Sequence, residues 1–366
     1  MVFVMAGGGT GGHVMPALAV ARELRQRGRQ VVFVGTPQGL EARLAPAAGF
    51  PLECVRIGGL KRVGLSRRLR TLAQLPAATL SALRLLKRWR AAAVFSMGGY
   101  AAGPVVLAAW LARIPLVVLE PNAVPGLTNR WTGKVAARVL VNFEQSMQYF
   151  PKARTELCGV PVREEFFRIV PKRRSALFHL LITGGSQGSR TLNQAARQSW
   201  PLFRAANFPL RITLQTGPAA WPELAQEFAQ SGLAGEVAPF IEDMPAAFAE
   251  ADLVVCRAGA GAVAELAAAG KPALLVPFPY AADQHQLRNA ETLARAGAAL
   301  MVLDREMDGA RLYREVAALA ADPDRLERMS RAVRGFARRD AARQAAEALE
   351  AAAREAGKMR VDRGGS

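Results

Sequence analysis

The sequence predicts an α/β protein made of two Rossmann-like domains, each with a parallel sheet, and three observations carry that prediction. Short apolar runs alternate with stretches of helical spacing almost throughout, the pattern of strand–helix–strand crossovers. The order strand, glycine turn, helix at residues 2–27 recurs at 177–198. With 366 residues and 51% hydrophobic composition, the chain can also bury more than one core.

Taken in order, VFVMA at 2–6 opens the first half, followed by VVFV at 31–34, AVFS at 93–96, LVVL at 116–119 and VLV at 139–141. The second half restarts at 177–183 and continues with apolar runs at 210–214, 253–256 and 273–276. Between the halves, Pro161, Pro171 and the basic cluster at 172–174 break the periodicity, so a linker is expected over 158–175. A cleft between two such domains is the natural place for a ligand. Beyond Asp324 the chain turns to Ala, Arg and Glu at helical spacing and ends in a polar Gly-Gly-Ser.

Composition narrows the function. Lys and Arg number 48 against 30 Asp and Glu, a net charge of +18 that favours phosphate substrates, anionic lipid or nucleic acid, unless it reflects only a basic proteome. Aromatic residues are not clustered among the basic ones, which argues against a stacking surface for single strands and against a nucleic-acid partner. Cys54, Cys158 and Cys256 form no CxxC pair and follow or end apolar stretches, as reduced, packed thiols do. The opening strand leaves no room for a signal peptide, and the longest apolar stretch, 101–119, is broken by Pro104, Arg113 and Pro115. Neither export nor a membrane span is expected, and the setting is cytoplasmic.

Three glycine-rich turns follow apolar runs and precede helical patterns: GGGTGGH at 7–13, GGYAAG at 98–103 and GGSQG at 184–188. Glycine permits the close approach of backbone to a ligand, and a helix N-terminus offers free N–H groups and a positive dipole end, so these turns read as phosphate sites. His13 falls at the start of a helical pattern that includes Val14, Ala17, Leu18, Ala21 and Leu24. The dipole disfavours imidazolium there, which leaves a neutral ring able to act as general base; the alternative is a histidine that caps the helix. Glu265 follows a fourth strand and glycine turn, where it either chelates ribose hydroxyls or stabilises the helix end.

That last segment also matches G-x-G-x-x-A at Gly259, Gly261 and Ala264, yet the following strands end without the acid a nicotinamide ribose needs. An oxidoreductase is therefore second choice, and the absence of G-x-x-x-x-G-K-[ST] disfavours a P-loop enzyme. Asp322-Pro-Asp324 is the one D-x-D and suits helix capping, so no metal site and no cofactor is expected. The charge of a leaving diphosphate falls instead to backbone amides and a side chain such as Arg163. The segment 61–90 combines nine Arg or Lys with eight Leu and is divided by Pro76; it reads as an amphipathic basic surface for an anionic membrane, or as a helix with its leucines in the core.

GGTGGH at 8–13, MGGY at 97–100 with Gly103-Pro104, GGSQG at 184–188, and DQHQ at 283–286 followed by Asn289-Ala290 together resemble the MurG family, the peripheral membrane N-acetylglucosaminyltransferases of bacterial peptidoglycan synthesis. The likeness runs from Met1 to about Glu355 with the motifs in family order. It implies a GT-B fold and inverting transfer of GlcNAc from UDP-GlcNAc to the MurNAc C4 hydroxyl of lipid I, with His13 as base. By the same matching, Thr10, Ser186 and Arg163 lie near the diphosphate, Gly11 and Gly12 also contact UDP-GlcNAc, the Ile241 backbone binds uracil and Glu265 the ribose. Asn122, His285 and Gln286 read the GlcNAc hydroxyls, and Gly9, Gly98, Gly99 and Tyr100 face the acceptor pyrophosphate.

The resemblance further implies an acceptor and membrane-associating domain over 1–160, a UDP-GlcNAc domain over 161–335, a helix over 336–357 returning to the first domain, and a flexible tail over 358–366. Protein partners are unknown, and the location implied is the cytoplasmic face of the inner membrane. Two positions depart from the common pattern: Pro121 stands where Gln is usual, stiffening its loop, and Ala262 replaces a frequent Ser or Thr, removing one hydroxyl near the nucleotide.

Overall fold

The computed structural model describes residues 1–8, 11–57, 65–99, 102–170 and 176–364, with the side chains of 11, 65–72 and 359–364 left aside. The chain forms two compact units, Met1–Val162 with Arg338–Ser366, and Arg163–Ala337.

The first unit runs β1 (Val2–Ala6), α1 (Gly11–Gln26), β2 (Gln30–Gly35), α2 (Glu41–Ala47), β3 (Leu52–Cys54), α3 (Leu65–Arg88), β4 (Ala91–Ser96), α4 (Gly103–Leu111), β5 (Leu116–Glu120), α5 (Leu127–Val135), β6 (Arg138–Val141) and β7 (Thr155–Leu157). The second runs α6 (Glu164–Phe167), β8 (Phe178–Thr183), α7 (Arg190–Ala205), β9 (Leu210–Gln215), α8 (Trp221–Gln230), β10 (Ala234–Ala238), α9 (Met244–Glu250), β11 (Leu253–Cys256), α10 (Ala260–Ala269), β12 (Ala273–Leu275), α11 (His285–Arg295), β13 (Ala299–Met301), α12 (Gly309–Ala320) and α13 (Pro323–Arg334). A last helix, α14 (Ala341–Gly364), belongs to the first unit.

Both sheets are parallel throughout, in the orders β3-β2-β1-β4-β5-β6-β7 and β10-β9-β8-β11-β12-β13. Parallel strands covered on both faces read as continuous apolar runs, as in LVVL of β5, where every residue is buried. The topological switch lies between β1 and β4 in one sheet and between β8 and β11 in the other, so the turns leaving these strands open onto the crevice where α/β sheets bind ligands. All the glycine turns singled out in the sequence occupy those four positions.

One face of the first sheet packs against α1 and α14, with Phe3, Phe95 and Leu119 beneath Leu24, Ala345 and Leu349. Arg27 and Arg29 of the first α/β turn reach Glu350, the latter at 2.6 Å, and tie α14 down at its rim. The helix continues through Lys358 to Gly364, within the stretch 358–366 expected to be a flexible tail.

The other difference from expectation is α3, which passes through Pro76 without ending. Its packing explains this: Ala78, Ala82 and Leu86 recur every four residues and are buried against the sheet, while Thr79 Oγ1 donates to the Leu75 carbonyl at 2.8 Å. Leu75 and Leu83 are half-buried and Leu80 is exposed, so most described leucines of this segment serve the core. Four short strands, β3, β7, β10 and β13, were not expected from the sequence.

Candidate active site

In the first unit, the turns after β1 and β4 lie side by side. A Cβ placed on Gly99 would stand 3.5 Å from the Gly8 carbonyl and 3.7 Å from Cε1 and Nδ1 of His13. Gly98 and Gly99 hold φ of +79° and +82°, the left-handed region that glycine enters at little cost. His13 is the third residue of α1, so its half-buried ring stands at the positive end of a 16-residue helix that begins with Gly11 and Gly12. The structure thus brings His13, Gly98 and Gly99 together. Gly9, Thr10 and Tyr100 lie outside the described residues.

Two polar side chains missed by sequence reasoning underlie the second turn. Glu120 ends β5 buried; its Oε1 accepts from Asn122 N at 2.9 Å and Asn122 Nδ2 at 3.1 Å, and its Oε2 from Asn129 Nδ2 at 2.9 Å. Burial pushes this carboxyl up to about 7, although the bonds from Asn122, Asn129 and Gly126 favour the ionised form. Asn122, a residue expected to read substrate, is therefore oriented from below by Glu120. Asn129 is buried with its Oδ1 lacking a hydrogen-bond partner among the described residues, 2.5 Å from where a Gly98 Cβ would be.

In the second unit the third glycine turn rests on backbone. A Cβ on Gly188 would fall 1.7 Å from the Thr216 carbonyl oxygen, and one on Gly217 would fall 2.2 Å from that of Gln187. Ser189 caps α7 by accepting from Leu192 N, which leaves Ser186 exposed at the tip of the turn. Buried Gln215 ties this turn to another expected site residue. Its Nε2 donates to the Gly185 carbonyl at 2.9 Å, and its Oε1 accepts from Ile241 N at the same distance. The Ile241 amide proton is thus engaged within the protein, and no signal at Gln215 beyond its place at the end of a strand pointed to it.

Glu265 lies in the second turn of α10, whose N-cap is Gly259. Burial pushes its carboxyl up to about 7, and the Arg163 guanidinium opposes that shift. Arg163 stands at the start of the unit as N-cap of α6, its guanidinium 5.2 Å from the Phe166 ring centre and its buried Nε without a hydrogen-bond partner among the described residues. A cation and a carboxylate are thereby paired electrostatically at the head of α10. That arrangement suits a nucleotide diphosphate beside its ribose.

The segment before α11 is strained: Asp283 and Gln284 hold φ of +52° and +53° with no glycine to ease it. His285 follows directly, its Nδ1 2.5 Å from the Ala282 carbonyl, a contact that leaves Nε2 facing away from that turn. Gln286 Oε1 accepts from Phe278 N at 3.0 Å, which commits the amide oxygen and leaves the NH₂ group as the outward donor. Buried Asn289 Nδ2 donates to the Ala258 carbonyl, joining α11 to the turn that precedes α10. His285, Gln286 and Glu265 therefore belong to one contiguous end of the second sheet. The remaining histidine, His179, lies within β8 near Glu250 and belongs to the packing of the strand.

Comparison with known proteins gives these features a context. The model described as the glycosyltransferase family 28 N-terminal domain matches residues 3–141, and that of the C-terminal domain matches residues 179–345. The UDP-N-acetylglucosamine–N-acetylmuramyl-(pentapeptide) pyrophosphoryl-undecaprenol N-acetylglucosamine transferase of Solibacter usitatus is 59% identical over 352 residues, covering 96% of each chain. The protein of the same name from Geotalea uraniireducens is 42% identical, over 93% of this chain and 96% of its own. The crystal structure of Acinetobacter baumannii MurG superposes with a TM-score of 0.79 at 34% identity, over 95% of this chain and 99% of its own. At 14% identity and a TM-score of 0.66, a Neisseria meningitidis UDP-GlcNAc 2-epimerase bound to UDP-GlcNAc shares the fold, over 95% of this chain and 98% of its own.

Proposed function

The chain belongs to glycosyltransferase family 28, and on that basis we propose how its residues divide the labour of the transfer. It is an enzyme of the MurG type with a GT-B fold, moving GlcNAc from UDP-GlcNAc to N-acetylmuramyl-(pentapeptide) pyrophosphoryl-undecaprenol, lipid I, to give lipid II in peptidoglycan synthesis. The acceptor hydroxyl, that on C4 of MurNAc, attacks C1 of GlcNAc as the bond from C1 to the diphosphate oxygen breaks. Attack opposite the leaving group inverts C1. His13 takes the hydroxyl proton, and UDP leaves with the bonding pair.

The position of His13 carries this reading. It stands at the positive end of α1, against Gly99, where two turns rich in backbone donors meet. A neutral imidazole there accepts a proton without competing for the anion those donors hold. Gly9, Gly98, Gly99 and Tyr100 take the acceptor pyrophosphate, and the first unit is the acceptor domain. In the second unit, Arg163 and Ser186, with Thr10, Gly11 and Gly12 of the first turn, meet the donor diphosphate. Glu265 accepts from the ribose hydroxyls, Ile241 offers its carbonyl to uracil, and Asn122, His285 and Gln286 read GlcNAc.

Replacing His13 by Ala is expected to lower kcat by about 10²- to 10⁴-fold with the UDP-GlcNAc KM within a few-fold, as measured by steady-state transfer to a soluble lipid I analogue. A variant with undiminished kcat would remove His13 from the chemistry.

Membrane association belongs to the same unit. No helix among the described residues is long and apolar enough to cross a membrane. The α4 and α5 helices, however, expose Trp110, Leu111, Leu127 and Trp131 beside Arg113, Arg130 and Lys134, with the Lys134 ammonium 4.3 Å from the Trp131 ring centre. Exposed indole and leucine next to cations suit the interface of an anionic bilayer and a peripheral place on the cytoplasmic face of the inner membrane. Vesicles containing anionic lipid should sediment the protein, and Trp131→Ala with Trp110→Ala should release it. Equal sedimentation with purely zwitterionic vesicles would refute the anionic preference.

A further inference from the structure

The first glycine turn is built over a buried carboxylate. Glu41 is the first residue of α2, and its side chain is fully buried. Its Oε1 accepts from Thr36 N at 2.8 Å and from Thr36 Oγ1 at 3.0 Å, and Thr36 is itself buried. Three glycines close around the same carboxylate, Gly8 from one stretch and Gly35 and Gly39 from the turn that leads into α2. A Cβ on Gly8 would lie 2.0 Å from Glu41 Oε1 and 2.4 Å from Oε2; one on Gly39 would lie 2.1 Å from Oε2, and one on Gly35 would lie 2.3 Å from Cγ. None of these three has the positive φ that makes glycine a backbone requirement. They are glycines because Glu41 fills the volume their side chains would take.

A carboxylate in this place is costly, since an ion removed from water must be repaid by directed bonds. An apolar residue of equal size would fill the same space without that cost, so occupancy of the hole alone does not account for an acid. Both carboxylate oxygens reach the position of a Gly8 Cβ, immediately before the segment that leads into α1 and His13. We infer that Glu41 is a positioning residue for the acceptor half of the reaction. Its carboxylate, fixed by Thr36 and wedged between Gly8, Gly35 and Gly39, sets the position of Gly8, and through it the placement of the acceptor pyrophosphate and of His13. This inference rests on the reading of the first two glycine turns as the acceptor-pyrophosphate site.

The test compares Glu41→Gln, which keeps the shape and removes the charge, with Gly99→Ala, which alters the neighbouring turn directly. Steady-state kinetics with a soluble lipid I analogue gives the acceptor KM, and calorimetry with UDP-GlcNAc gives the donor Kd. Glu41→Gln is expected to raise the acceptor KM by about tenfold while the donor Kd stays within about twofold, a split that loss of folded protein does not produce. A second pair guards against an unfolded variant. Gly8→Ala should weaken the acceptor similarly, and Glu41→Asp, which withdraws the carboxylate by one methylene, should restore part of that loss in the double mutant.

Unchanged acceptor KM in Glu41→Gln, with Gly99→Ala impaired, overturns the inference and leaves the acceptor reading in place. So does a lowered Tm with both constants unchanged, or an equal loss of donor affinity. If neither Glu41→Gln nor Gly99→Ala alters the acceptor KM, the acceptor reading fails and the inference falls with it.

Discussion

The glycine turns of the two units look alike in sequence and sit at equivalent switch points, yet they are held in different ways. In the first unit, Gly8 abuts the Glu41 carboxylate and Gly98 abuts the Asn129 amide, so the turns rest on side chains. In the second, Gly188 and Gly217 abut the carbonyls of Thr216 and Gln187, so the turn rests on another stretch of main chain. A turn seated on backbone is fixed by the fold itself, whereas one seated on side chains can be retuned by a single substitution elsewhere. The turns of the first unit are keyed by side-chain chemistry, those of the second by main-chain geometry.

One added methyl should separate the two kinds of turn. Gly188→Ala combines a left-handed φ of +73° with a backbone oxygen 1.7 Å from the new Cβ, and should cost about 3 kcal/mol or more of stability, with no rescuing second site. Gly98→Ala carries a similar backbone strain, but its contact is with a side chain. Shortening Asn129 to Ala should return about 1 kcal/mol in a double-mutant cycle followed by chemical denaturation. Additive effects at Gly98 and Asn129 would show that this turn too is backbone-limited.

A smaller effect separates the two units through charge. Glu265→Ala should weaken UDP-GlcNAc by roughly tenfold to a hundredfold, the worth of hydrogen bonds to an ionised group, and leave the acceptor KM alone. Because the Glu265 carboxyl titrates at about 7, its acceptor form grows as pH rises, so donor affinity should increase by about tenfold between pH 6 and 8 and stay flat in Glu265→Gln. Stability runs the opposite way. Glu265 and Glu120 both lie above the ordinary 4.5, so between that value and about 7 the folded chain holds protons the unfolded chain has released. The unliganded protein should therefore lose Tm as pH rises through that window. A donor affinity indifferent to pH would detach Glu265 from the ribose.

How much of this was legible in the sequence depends on distance along the chain. The nine apolar runs became the central strands, because buried parallel strands need little beyond Val, Ile and Leu in succession. The strands that escaped, such as Leu-Glu-Cys of β3 and Ala-Gly-Glu-Val-Ala of β10, are short or carry no β-branched run, and pairing with a neighbour supplies what their composition lacks. Pro76 pointed to a break that burial of Ala78, Ala82 and Leu86 overrides. Among functional groups, His13 and the glycine turns announce themselves locally. Glu41, Asn129 and Gln215 do not, since each acts on a turn that folding brings to it from afar. A faint signal existed for Glu41: Gly35 and Gly39 lie close before an acid, though the backbone at neither needs glycine.

The helix α14 carries one more consequence, for the order in which the molecule can be made. The first 162 residues leave the ribosome with one face of their sheet covered by α1 but not by α14, because the helix that packs on Phe95 and Leu119 is synthesised only after the whole second unit. The second unit has all its strands while the first still waits. Maturation of the first unit is thereby coupled to synthesis of the second, and a nascent chain halted before Ala341 carries a finished second unit joined to a first sheet whose Phe95 and Leu119 still lack their helix.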